Sequence, residues 1–155
     1  MISVAIAVLF SFSIQAQARA PQPATPADPV RTVDVVGTDN MKFDVTTITA
    51  ARGERLRIRL KSIGTMPKNV MAHNLVVLHR GVDVKAFNNA ALKEKANDYI
   101  PPYRKDDVFA ATGLAVPGET VEVTFTVPST AGTYEFICSF PGHFTLGMRG
   151  TLVVK

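Results

Sequence analysis

Hydrophobic and polar positions alternate most cleanly in ERLRIRLK. Leu56, Ile58 and Leu60 fall on one face, and Arg55, Arg57, Arg59 and Lys61 on the other. Successive side chains of a strand point to opposite sides, so this period of two predicts a strand with one buried and one wet face. The cationic stripe reads as the solvated outer face of a half-buried strand. Two strands are expected before it. RTVDVVG ends on Gly37, and MKFDVTTITA is rich in β-branched residues and reads as one strand with a bend. HNLVVLH, VFAAT, TVEVTFTV, TYEFICS and GTLVVK predict five more, with turn signals at Pro117-Gly118, Pro128, Gly132, Pro141-Gly142 and Gly150. The pattern changes between Asp83 and Tyr99. VKAFNNAALKEKAND holds good helix formers, with apolar residues at Val84, Phe87, Ala91 and Leu92, so a short helical flap is expected over residues 83–99. Pro101-Pro102 closes that excursion. Eight short strands with one helical insertion predict an all-β fold, a two-sheet antiparallel β-sandwich. No internal repeat is visible.

The first residues stand apart from this pattern. Val4 to Ile14 is a mostly apolar run, too short to span a bilayer comfortably, and Ala18-Arg19-Ala20 follows it. Together they read as a secretory signal peptide over residues 1–20, although no Lys or Arg precedes the apolar run. The alternative is an uncleaved membrane anchor. Residues 21–29, PQPATPADP, carry four prolines and read as an extended leader. The folded domain is expected over residues 30–155.

The chain has 155 residues, 46% of them hydrophobic, enough for one domain with its own core. Its formal net charge is +4, and removing residues 1–20 takes away one cation, Arg19, and no acid. Mild basicity permits docking to an acidic partner. The cations are not massed in one run with aromatics, so no nucleic-acid partner is expected. Cysteine usage is more telling. Cys138 is the only cysteine, so no internal disulfide can form. An exported chain normally pairs its cysteines, and a free thiol in an oxidising compartment is a liability unless a metal occupies it.

The surroundings of Cys138 supply further ligands. CSFPGHFTLGM brings Cys138, His143 and Met148 into one loop, each separated from the next by four residues, and Pro141-Gly142 allows a tight turn. A thiolate and a thioether are soft ligands and imidazole is intermediate, a set that suits copper in both oxidation states. Two imidazoles and a thiolate with a weak axial methionine make a blue-copper electron-transfer site. The second imidazole must come from His73 or His79. His73 just precedes a strand beside the polar Asn74, while His79 ends that strand next to Arg80-Gly81, a solvated turn. Position favours His73. Taken singly, a lone Cys on an apolar strand is a small buried hydrophobe, a Met is core filler and a loop His is ordinary; their coincidence in one loop favours metal.

MPKNVMAHNLVVL together with YEFICSFPGHFTLGMRGTLVVK resembles the azurins and auracyanins of the cupredoxin family. The PKNVM-x-HN stretch and the C-x-FPGH loop carry the resemblance, which extends over nearly all of residues 30–155. It implies a Greek-key β-sandwich binding one type 1 copper that cycles between Cu(I) and Cu(II). It implies His73, Cys138 and His143 as strong ligands, Met148 as the axial ligand, and a weak contact from the backbone carbonyl of Ala72, where azurins usually have glycine. It also implies that Asn74 ties the two ligand segments together and that the backbone N–H groups of Asn74 and Phe140 point at the Cys138 sulfur. Three departures accompany it: Ala72 itself, a fourth residue (Gly147) between His143 and Met148 where azurins have three, and the absence of the azurin disulfide.

The reading that follows is a small electron carrier, monomeric and periplasmic or secreted. Electrons would pass by the His143 edge to redox-partner proteins, a cytochrome or a copper enzyme, that dock on an apolar patch formed by Phe140, Pro141, Phe144 and Leu146 with Met66, Val70 and Met71. No small-molecule substrate is expected. An enzymatic rival needs histidines beside Cys138 to bridge to a second metal, and the neighbours are Ile137 and Ser139. A copper carrier or storage protein is the other alternative; such proteins use exchangeable Met- or His-rich sites, which this tight loop does not resemble.

Overall fold

The computed structural model describes residues 29–155. The signal peptide expected over residues 1–20 lies outside them, as does all of the leader expected over residues 21–29 except Pro29. Two sheets stack face to face. One has the order β2-β1-β4-β7, built from β1 (Arg31–Thr38), β2 (Lys42–Phe43), β4 (Arg55–Ile63) and β7 (Thr120–Thr126). The other has the order β3-β9-β8-β5-β6, built from β3 (Thr47–Ala50), β5 (Val76–Leu78), β6 (Val108–Ala111), β8 (Gly132–Ile137) and β9 (Arg149–Val154). The alternation in β4 is realised in full. Leu56, Ile58 and Leu60 are completely buried, while Arg59 pairs with Asp34 on β1 and Arg57 approaches Glu122 on β7 along the solvated face.

The sandwich expected from the sequence is the architecture found, and two of its strand pairs run parallel: β1 with β4, and β3 with β9. The cause lies in MKFDVTTITA. Instead of one bent strand, it forms β2 in the first sheet and β3 in the second, with Asp44 to Thr46 carrying the chain across. Asp44 holds this crossing to β1, because its carboxylate accepts from the Val36 N–H at 2.6 Å. A chain that leaves β1, visits the opposite sheet and returns beside β1 arrives pointing the same way. The eight-residue register of β1 on β4, with Arg31 bonded to Glu54, ties down the N-terminal strand without a disulfide.

The flap contains helix α1 (Val84–Ala91), whose N-cap Asp83 accepts from the Ala86 N–H at 2.9 Å. Its buried Phe87 packs with Val76, Leu78 and Ile137 of the second sheet. A 3₁₀ turn follows at Lys95–Asn97. Beyond Pro101 a further 3₁₀ stretch, Pro102–Asp107, leads into β6, so the proline pair starts a turn as well as closing the flap.

Close packing between the sheets has one strict requirement near the β8–β9 pair. A Cβ at Gly150 would lie 2.3 Å from the Phe136 ring and 2.5 Å from the Thr46 carbonyl oxygen. Phe136 is fully buried and meets Phe43 edge to face, so neither neighbour can retreat cheaply. Gly150→Ala is expected to destabilise the fold by about 1–3 kcal/mol, read as a fall in the urea unfolding midpoint.

Candidate metal centre

Strand register brings the distant segments together. In the antiparallel β5–β8 pair Val76 faces Ile137, and the same register carried outward sets Asn74 opposite Ser139. In the β8–β9 pair Ile137 faces Arg149, which carries Cys138 opposite Met148. Each extension is sealed by a hydrogen bond: the Ser139 N–H donates to Asn74 Oδ1 at 2.9 Å, and the Cys138 N–H to the Met148 carbonyl at 3.0 Å. His73 is fixed by a two-way bridge with Ala115, each N–H donating to the other's carbonyl at 2.8 Å.

The loop between β8 and β9 folds by its own local rules. The Leu146 N–H reaches the Gly142 carbonyl in one helical turn. The Met148 N–H then donates to the His143 carbonyl at 2.9 Å and the Gly147 N–H to the Phe144 carbonyl at 2.9 Å. That pair of bonds is a Schellman closure, which needs a left-handed residue at its penultimate position. Gly147 provides it with φ of +92°. The fourth residue between His143 and Met148 therefore completes a turn and is not slack in the loop.

His73, Cys138 and His143 converge, with their candidate ligand atoms all within 4.8 Å of one another. The two Nδ1 atoms lie 3.2 Å apart, and Cys138 Sγ lies 3.4 Å from His143 Nδ1. Met148 is fully buried, and its methyl sits beside the His73 ring. A Cβ at Gly37, at the end of β1, would come within 2.8 Å of that ring and 3.1 Å of that methyl. Burial holds both imidazoles down at about 4, with Asp39 opposing the shift at His73 and the neighbouring His73 reinforcing it at His143. Both are therefore neutral at pH 7. Burial pushes the Cys138 thiol up to about 12, and backbone N–H groups of Asn74 and Phe140 oppose that rise. These are the two donors expected to face the sulfur; they favour the thiolate.

The donor set passes the test for copper. One soft sulfur and two neutral imidazoles face one another in a dry pocket, and two such rings at 3.2 Å can share only one proton between their Nδ1 atoms. A metal ion can use all these lone pairs at once. The site fits a single type 1 copper.

His79 is excluded by position. It is exposed, bonded through its N–H to the Asp107 carbonyl, and stacked edge-on against Phe109. Ala72 is fully buried and has no left-handed φ, so an alanine needs no glycine-like backbone there. Two contributors had no marking in the sequence beyond their neighbours. Gly37 clears room for His73 and Met148. Ser139 joins Asn74 in a buried network: Asn74 Nδ2 donates to the Asp98 carbonyl at 2.8 Å and to Ser139 Oγ at 2.9 Å, and Ser139 Oγ donates to the Tyr99 carbonyl at 2.7 Å. Of the apolar residues near the site, Met66, Val70 and Leu146 are exposed, whereas Phe140 and Met71 are buried.

A β-sandwich enclosing one thiol, two imidazoles and a thioether at the end of its sheets defines the class of small single-copper proteins. The family model of copper-binding proteins, plastocyanin/azurin family, matches residues 30–155, and the chain belongs to that family. It is 39% identical over 125 residues to Azurin-1 of Alcaligenes xylosoxydans xylosoxydans, covering 77% of this chain and 94% of that protein. It is 40% identical over 120 residues to Auracyanin-A of Chloroflexus aurantiacus, covering 76% of this chain and 69% of that protein. The solved structure of that auracyanin A, a "blue" copper protein, superposes with a TM-score of 0.69 at 36% identity, covering 82% of this chain and 100% of that one.

Asn74→Ala would leave the buried Ser139 N–H and the Asp98 carbonyl without partners. The copper-free variant is expected to lose about 1–3 kcal/mol of stability, measured by urea unfolding.

Proposed function

We propose that this chain is a one-electron carrier, in which His73 Nδ1, His143 Nδ1 and Cys138 Sγ would hold one copper ion and Met148 and the Ala72 carbonyl would be weaker donors to it. The observation that carries this reading is the convergence of three buried donors within 4.8 Å. Copper, when bound, supplies the Cu(I)/Cu(II) couple. The protein's own part is to hold the donors still. Asn74, Ser139 and the β8–β9 bonds brace the ligand segments from behind, and the N–H groups of Asn74 and Phe140 stabilise negative charge on the sulfur.

Electrons enter and leave by the His143 edge. His73 lies between fully buried Ala72 and Asn74, and Cys138 between fully buried Ile137 and Ser139. His143 instead follows the exposed Pro141-Gly142 and precedes exposed Thr145 and Leu146. Leu146, 53% exposed, is the exposed large apolar side chain of this loop. The partners are redox proteins, and the chain itself works as a monomer in the periplasm or outside the cell. The carrier reading is preferred to a multi-copper enzyme because Ile137 and Ser139, not histidines, flank Cys138. The supports for a carrier role over storage are the depth of the site and the bracing of every segment that forms it.

Reconstitution with Cu(II) should bind one ion per chain and give an intense blue colour that reductant bleaches reversibly; Cys138→Ser should abolish the colour. A colourless Cu(II) complex of the parent protein would refute the assignment. Leu146→Lys should leave the spectrum unchanged and slow electron self-exchange about tenfold, the equivalent of about 1.4 kcal/mol of lost docking, because two copies would meet charge against charge. An unchanged rate would move the electron path away from this edge.

A further inference from the structure

The ligand loop takes one hydrogen bond from a strand that carries no ligand. Lys42, the first residue of β2, donates through Nζ to the Leu146 carbonyl. Leu146 stands two residues before Met148, and its carbonyl accepts from no main-chain N–H among the described residues. The other bonds of this stretch are local: Leu146 N–H to the Gly142 carbonyl, Gly147 N–H to Phe144 and Arg149 N–H to Gly147. Among the described residues, Lys42 is therefore the only outside partner of the stretch between His143 and Met148. A lysine is well suited to this place, because the single helical turn of the loop ends here and leaves carbonyls unmet.

Gly147 leaves the space for this contact. A Cβ there would lie 2.7 Å from Lys42 Nζ and would push the ammonium aside. The residue that closes the turn through its left-handed φ thus also lets Lys42 reach the carbonyl before it. The hairpin that carries Lys42 is short and closed. Thr38 faces Lys42 and Gly37 faces Phe43 across β1 and β2, and the Met41 N–H donates to the Thr38 carbonyl at 2.8 Å. Gly37 is the glycine packed against the His73 ring and the Met148 methyl. One hairpin therefore bears on Met148 twice: on its methyl through Gly37, and on its main chain through Lys42 and Leu146. Lys42 belongs to no ion pair among the described residues, so no carboxylate draws its ammonium away.

We propose that Lys42 is a positioning residue for Met148: its bond to the Leu146 carbonyl holds the turn against β2 and so fixes where the Met148 thioether stands in the site. The consequence for copper rests on the electron-carrier reading; the clamp itself does not. His73 and Cys138 are held by the Ala115 bridge and by β8, and neither depends on Lys42. Loss of the lysine bond therefore loosens Met148 relative to those two donors and leaves them in place.

Two measurements test this. The first follows amide hydrogen exchange in the copper-free protein. Lys42→Leu, at an exposed position, should speed exchange of the Gly147 and Met148 N–H groups about tenfold, as expected for a lost charge-assisted hydrogen bond. Lys42→Arg, which still donates, should restore the parent rates. The second is the electron paramagnetic resonance of the Cu(II)-loaded protein. Lys42→Leu should change the copper hyperfine splitting, and Lys42→Arg should return it. Lys85→Leu removes an equal charge from the helix beside Gly147 and makes no bond to the Leu146 carbonyl; its signal should match the parent. Unchanged exchange or an unchanged signal in Lys42→Leu, no recovery in Lys42→Arg, or an equal change in Lys85→Leu would each overturn the proposal. A parent protein that bound Cu(II) without colour would instead refute the electron carrier, and the exchange rates would still decide the clamp.

Discussion

The metal end of the molecule is governed by the cost of keeping a thiol and two imidazoles dry and close together. Burial favours the neutral form of each, pushing Cys138 up and both histidines down. Three uncharged donors at hydrogen-bonding range have lone pairs turned toward one another and too few protons to share among them. Such an arrangement persists only if the segments carrying it cannot separate. The β5–β8 and β8–β9 registers, the His73–Ala115 bridge and the packing of Gly37 against the His73 ring each prevent a different separation. The rigidity that one-electron transfer needs is therefore a by-product of holding an otherwise unfavourable cluster in place.

The same restraint reaches into the flap. Asp98 and Tyr99 are consecutive non-glycine residues with φ of 52° and 59°. That backbone is uncommon outside glycine and costs of order 1–3 kcal/mol each. Their carbonyls are the acceptors for Asn74 Nδ2 and Ser139 Oγ. The strained turn and the ligand segments thus hold each other. This accounts for a helical insertion that packs closely on the sheet through Phe87 and, at its far end, is locked to the residue after Cys138.

How much of this was legible depended on whether the determining contacts were local. The alternation of β4 is a property of the strand alone, and Leu56, Ile58 and Leu60 went inside as their spacing implied. The ligand loop was equally readable, because Cys138, His143 and Met148 sit within one short stretch. His73 required the strand argument, and the β5–β8 register sets its segment beside that of Cys138. MKFDVTTITA misled for a physical reason: β-branched content marks extended chain but carries no information about which sheet each half joins. Gly37 and Ser139 were silent because their roles are tertiary. A glycine ending a strand looks like any turn residue until a histidine ring from elsewhere occupies its missing side chain. A serine beside a cysteine looks like a spacer until Asn74 and Tyr99 close on it.

The Schellman closure at Gly147 has a wider meaning. Because the path from His143 to Met148 is set by bonds within the turn itself, most of its shape is encoded in its own few residues. The loop behaves as a cassette: a single residue that completes a local closure, as Gly147 does, can change its spacing while the strands on either side keep their places. A change in the number of residues between His143 and Met148 is then a change of insert in a constant frame, and the frame need not be redesigned to accept it.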